Sequence, residues 1–143
     1  MSIDARVAIV ASEFNRLVTG PLTDGARTTL EGAGFAVDLH WVPGSWELPL
    51  ALDWLARTGR YAGLVAIGCV IRGATPHFEY VAGEAAKGAA RVQAEHRIPV
   101  GFGVLTTENL EQAFERAGSK MGNKGSEAAL AVIQMLRLKA RIG

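Results

Sequence analysis

Leu64-Val65-Ala66-Ile67-Gly68-Cys69-Val70-Ile71 carries no charge and is built almost wholly of branched or small apolar residues. A strand with one wet face would alternate apolar with polar side chains. An unbroken apolar run this short instead marks a strand covered on both faces, the usual state of a strand inside a parallel sheet. The reading of residues 64–71 as a central strand decides the fold, because a parallel sheet needs crossover helices on both of its faces.

The flanking sequence supplies them. Upstream, Val7-Ala8-Ile9-Val10-Ala11 is a second buried strand. Residues 20–33 follow as a helix: Pro21 suits a first turn, Leu22, Ala26, Leu30 and Ala33 share a stripe, and Gly34 ends it. Residues 35–42 form a strand broken at Pro43-Gly44, and 46–57 a short helix with Leu48, Leu52 and Leu55 inward. Downstream, residues 78–96 make a long helix whose inner face is mostly Ala and Gly, which lets it approach a neighbour closely. Glu84, Lys87, Arg91 and Glu95 lie three and four apart on its polar side. Residues 100–105 are a fourth strand, cut by Gly101 and Gly103, and helices follow over 110–117 and 124–140, the last with a stripe of Ala129, Val132, Ile133, Leu136 and Ala140. The alternation predicts one α/β domain over residues 1–143, a three-layer αβα sandwich with a mainly parallel four-stranded sheet.

Composition narrows the function. Hydrophobic residues are 49% and charged residues 20% of 143, which leaves a slight apolar surplus for the core or for partner subunits. A net charge of +1 without a basic run gives no case for nucleic acid. The lone Cys69 excludes an intrachain disulfide and a multi-cysteine metal cage. No stretch reads as a secretory leader or reaches the roughly 20 apolar residues of a membrane span, so the expectation is a cytoplasmic protein.

In such sheets ligands sit beyond the carboxyl ends of the strands. After the central strand comes Arg72-Gly73-Ala74-Thr75-Pro76-His77, running into the long helix. A glycine-containing turn at a helix N-terminus seats anions, Thr75 adds a hydroxyl, and His77 is of the residue type most often used for proton transfer. Thr75 and His77 also serve a simpler reading, as helix caps. Pro43-Gly44-Ser45-Trp46-Glu47 offers acceptors for a polyol and a ring to wall a pocket, or equally a cap at Ser45 with Glu47 in the first turn. Phe14-Asn15 presents an aromatic for a flat heterocycle or for a hydrophobic staple. Arg116 and the Gly-punctuated run from Gly118 to Gly125 suit a phosphate partner or a solvated connector. No GxxxxGK[ST] spacing is present, and Gly101-Phe102-Gly103 lies in the wrong place for a dinucleotide turn. His40, His77 and His96 lack metal-ligand spacing, so no metal is expected.

Jointly, Phe14-Asn15, Val42 to Pro49, Gly68 to Glu79, Gly103 to Ala113, Arg116-Ala117-Gly118 and Gly122 to Gly125 resemble the 6,7-dimethyl-8-ribityllumazine synthase family, in order and over nearly the whole chain. The resemblance implies a flavodoxin-like fold and a transferase of riboflavin biosynthesis needing no metal, nucleotide or flavin. It implies that Phe14 stacks on a pyrimidinedione, that the backbone at Val70 and Ile71 reads its polar edge, and that Asn15, Ser45, Trp46 and Glu47 hold its ribityl chain. Ala74 and Thr75 would seat the phosphate of 3,4-dihydroxy-2-butanone 4-phosphate against Arg116, and His77 would move protons. In the family Phe102, Arg116 and Lys124 come from the adjacent subunit, which implies a homo-oligomer, a pentamer or larger, extending in some members to icosahedral shells. Pro76 departs from the family's usual hydroxyl residue at that place, and few residues precede Phe14 for a strand exchanged with a neighbour. The alternative is a catalytically weak paralogue that binds flavin or lumazine or serves as a shell.

Overall fold

The structure is a computed structural model that describes residues 5–73, 77–118 and 122–143. Its strands are β1 (Arg6–Ser12), β2 (Ala36–Val42), β3 (Gly63–Ile71) and β4 (Val100–Thr107), and its helices α1 (Arg16–Gly32), α2 (Leu48–Arg57), α3 (Phe78–His96), α4 (Leu110–Glu115) and α5 (Lys124–Ile142). A 3-10 turn, Ser45–Glu47, leads into α2. The sheet runs β2-β1-β3-β4 and every pairing is parallel. It is an α/β sandwich of the flavodoxin-like kind.

Period two sorts the two cores. Val7, Ile9 and Ala11 of β1 and Val65, Ile67 and Cys69 of β3 face α1 and α5, packing with Leu22, Leu30, Ala129 and Val132. Ala8, Val10, Leu64, Ala66 and Val70 face the other way, against Leu48 and Leu52 of α2 and Ala89 and Val92 of α3. β3 is buried at every position. A Cβ on Gly88 of α3 would run into the Pro49 ring of α2, so the small inner face of α3 does permit a close approach. Removing a core side chain such as Leu52 would cost about 2–5 kcal/mol.

One helix start differs from the sequence reading. α1 begins at Arg16, so Pro21 lies within it instead of opening it. Asn15, in the left-handed region at φ 63, starts the helix, its carbonyl accepting from the amides of Val18 and Thr19 at 2.8 and 3.0 Å. Pro21 has no N–H to return to Leu17, yet the turn is already set by Asn15. The far end is read correctly in kind: Gly34 at φ 94 donates to Glu31, and Phe35 donates to Leu30, which satisfies the last carbonyls. β4 continues to Thr107 and α5 to Ile142, while α4 stops at Glu115.

Candidate functional site

The carboxyl ends of the four strands gather the loops that the sequence singles out. Past β1 and β2 the chain stays stitched: Glu13 donates to the Val42 carbonyl at 2.8 Å and Phe14 to the Pro43 carbonyl at 3.1 Å. This extension of the ladder stands Phe14 beside the Gly44–Trp46 segment. Asn15 ties the same loop to β3, its Nδ2 donating to the Cys69 carbonyl at 3.3 Å. Opposite, Ser45 is buried because β3 has Gly68 there; a Cβ at Gly68 would lie 2.5 Å from the Ser45 hydroxyl.

Between these pieces opens a cleft of about 190 Å³, lined by Phe14, Gly44, Ser45, Trp46, Cys69, Val70 and Val81. Phe14 is 49% and Trp46 57% exposed, so two large rings face solvent at its mouth instead of filling the core. Such apolar walls with a few polar groups suit a flat heterocycle. Glu47 has its Oε1 close enough that a Cβ on Gly44 would stand 3.4 Å from it. Gly44, not Ser45, is the N-cap of the turn, so Ser45 is not the cap, while Glu47 does stand in the turn as expected and makes no side-chain cap hydrogen bond at α2. Burial pushes the Cys69 thiol up to about 11, which leaves it an inert wall and not a nucleophile.

His77 is the N-cap residue of α3, exposed, and its side chain makes no cap hydrogen bond. Its ring meets Tyr80 at a centroid distance of 6.3 Å. Its carbonyl accepts from the Val81 amide at 2.9 Å, so the residue belongs to the first turn of the helix. Ala74 and Thr75, the expected phosphate seat, and Pro76 with them, lie outside the described residues.

The chain brings Arg116 and Lys124 together although they are separated in sequence. Lys124 donates its amide to the Arg116 carbonyl at 2.9 Å, Gly118 donates to Gly122 at 2.7 Å, and Ala117 and Asn123 form an antiparallel bridge. Asn123 then caps α5, accepting from Ser126 at 3.0 Å, and donates to the Pro21 carbonyl at 3.0 Å. Phe102 is half-buried on β4, against the core beneath α2 and α3. Neither Phe102, Arg116 nor Lys124 lines the cleft of their own chain, and nor do the side chains of Asn15, Glu47 and Ile71. Ile71 points into the core beneath α1 and α5.

Two features escaped sequence reasoning. Arg72 gathers Glu108 at 3.1 Å and Glu79 at 3.7 Å, with its guanidinium 4.5 Å from the centre of the Phe78 ring. Only the parallel register, which sets Ile71 beside Thr107, could have revealed that meeting. Far away, between α2 and α3, Asp53, Glu95 and His96 stand at metal-ligand separations. Asp53 already has one oxygen taken by Arg57 and the other by His96, each at 2.7 Å, so the group reads as a hydrogen-bonded tie between helices. Two wider apolar grooves flank the end of α5 at the opposite rim of the sheet, near Pro99 and Ala62.

Residues 4–140 match the family model described as 6,7-dimethyl-8-ribityllumazine synthase. The chain belongs to that family. The match begins just before β1 and ends within α5, so it takes in the cleft, the α3 N-terminus and the Arg116–Lys124 hairpin. Membership places the fold with a family of transferase-type enzymes of riboflavin biosynthesis. Among the described residues no helix is long and apolar enough to cross a membrane.

Proposed function

We propose that the protein is a working 6,7-dimethyl-8-ribityllumazine synthase, acting as one domain over its whole length, in the cytoplasm, as a ring of like subunits. It condenses 5-amino-6-(D-ribitylamino)uracil with 3,4-dihydroxy-2-butanone 4-phosphate, releasing phosphate and water. The observation that carries the reading is the cleft at the strand ends, walled by the exposed rings of Phe14 and Trp46 with the buried Ser45 hydroxyl between them. Phe14 stacks on the pyrimidinedione, the backbone at Val70 and Ile71 reads its polar edge, and Asn15, Ser45, Trp46 and Glu47 hold the ribityl chain. Ala74 and Thr75 seat the phosphate at the N-terminus of α3.

Among the described residues no cation lines the cleft of one chain. Arg116 and Lys124 are joined through their main chains and neither lines this cleft, which supports a site completed by Phe102, Arg116 and Lys124 of a neighbouring copy. The ring's 5-amino group attacks the ketone to give an imine, a proton leaves carbon as phosphate departs, and the ribitylamino nitrogen closes the second ring. His77 takes and returns the protons. Orienting two reactants is worth about 7–11 kcal/mol, and acid–base help typically adds about a hundred- to ten-thousand-fold.

The test is direct. Purified protein is given both substrates and the absorbance of the lumazine is followed. Product must appear and must require both; no product from folded, assembled protein would end the reading.

A further inference from the structure

We infer that Arg72 is a positioning residue for His77, acting through the first turn of α3; the inference rests on the proton-transfer role proposed above. Arg72 follows directly on β3, and its amide donates to the Thr107 carbonyl at 2.9 Å, which fixes its main chain to the end of β4. From there the side chain reaches across. Its Nε lies 3.1 Å from Glu108, just past β4, and its Nη1 lies 3.7 Å from Glu79 in the first turn of α3. The guanidinium also rests over the Phe78 ring at 4.5 Å, and Phe78 is packed against the core beneath α2 and α3.

One side chain therefore joins three elements: the end of β3, the end of β4 and the start of α3. His77 precedes Phe78 directly, and its carbonyl is bonded to Val81 in the same turn. Whatever holds Phe78 and Glu79 holds the main chain from which the imidazole extends.

Each contact alone is weak. The side chains of Arg72, Glu79 and Glu108 are 50%, 83% and 64% exposed, and ion pairs that wet are screened. Convergence changes the outcome, because a planar guanidinium serves two carboxylates at its edge and a ring at its face without extra ordering. A lysine could keep one ion pair but not the stack. The charge of Arg72 is already shared by two carboxylates, so it is poorly placed to be the substrate's counter-ion.

The experiment compares assembled wild type with Arg72→Gln, Arg72→Lys and Glu108→Gln. Steady-state turnover is read beside deuterium uptake in the first turn of α3. For Arg72→Gln the expected result is a kcat about tenfold lower with KM for the pyrimidinedione within about twofold. Exchange should quicken in that turn and not in β3 or α5. Glu108→Gln should move both readouts the same way by less, and Arg72→Lys should recover part of each. Unchanged exchange in Arg72→Gln overturns the inference whatever the turnover. So does exchange that quickens across β3 and α5, which is general loosening, and so does locally faster exchange with wild-type kcat. If wild type makes no product yet the local exchange responds, the enzymatic reading fails and the clamp on the α3 start survives it.

Discussion

A Cβ placed on Gly68 would stand 2.5 Å from the Ser45 hydroxyl and 3.3 Å from a Leu48 methyl. The bare strand at that position is what allows the turn before α2 to sink against β3, and with it the wall of the cleft. Gly68→Ala should therefore push Ser45 outward. We expect a loss of about 1–3 kcal/mol, the usual cost of overpacking, and a raised KM for the ribityl substrate. Urea unfolding and steady-state kinetics read the two effects. A variant with wild-type midpoint and wild-type KM would show that the turn does not depend on this contact.

His77→Ala removes an imidazole that stands exposed at the α3 N-terminus and caps nothing with its side chain. Fold should be untouched, and turnover should fall by about a hundred- to ten-thousand-fold while remaining measurable, since positioning is left in place. Kinetics on the purified variant check this, with thermal unfolding as the control. An unchanged kcat would remove the residue from the proton-transfer step.

Arg116→Ala should raise KM for the phosphorylated substrate far more than for the pyrimidinedione. A site shared between subunits adds a sharper consequence. Mixed rings of Arg116→Ala and His77→Ala chains, refolded together, contain some interfaces where both residues are intact. Activity above that of either variant alone is expected from them. If mixed rings are no more active than the parents, the two residues act within one chain.

Much of this was legible in the residues. The unbroken run 64–71 gave a strand buried at every position, and the Ala and Gly face of α3 announced a close approach, though not that Pro49 of α2 would be the neighbour. Phe14, Ser45 and Trp46 were picked out by position after strands and Val70 by the family resemblance, and they do meet in one cleft. The start of α1 was not legible, because Pro21 is a sign of a first turn only when nothing upstream can begin the helix, and Asn15 in the left-handed region can. Contacts set by register were hidden as well. Arg72 meets Glu108, and Arg6 meets Asp38, across separations that no local periodicity reports.

Asp38 offers a prediction whose sign follows from its neighbours. The Tyr61 hydroxyl donates to it at 2.7 Å and Arg6 lies 2.6 Å away, and these hold the carboxyl below its ordinary 3.8. The unfolded chain keeps neither partner, so its carboxyl returns to the ordinary value. The stability contributed by the ionised group is thus complete above 3.8 and drains away as pH falls through the lower folded value. Tyr61 shifts the other way: burial, then its bond to Asp38, raises it above 10.0, so its contribution holds below that value and is lost as pH rises through the folded one. Asp38→Asn should accordingly be less stable than wild type at neutral pH and converge on it in acid, where wild type has lost the same interaction. Unfolding midpoints measured from neutral to strongly acid pH decide the matter. Two curves that run parallel to the acid end would mean that Asp38 contributes nothing through its charge.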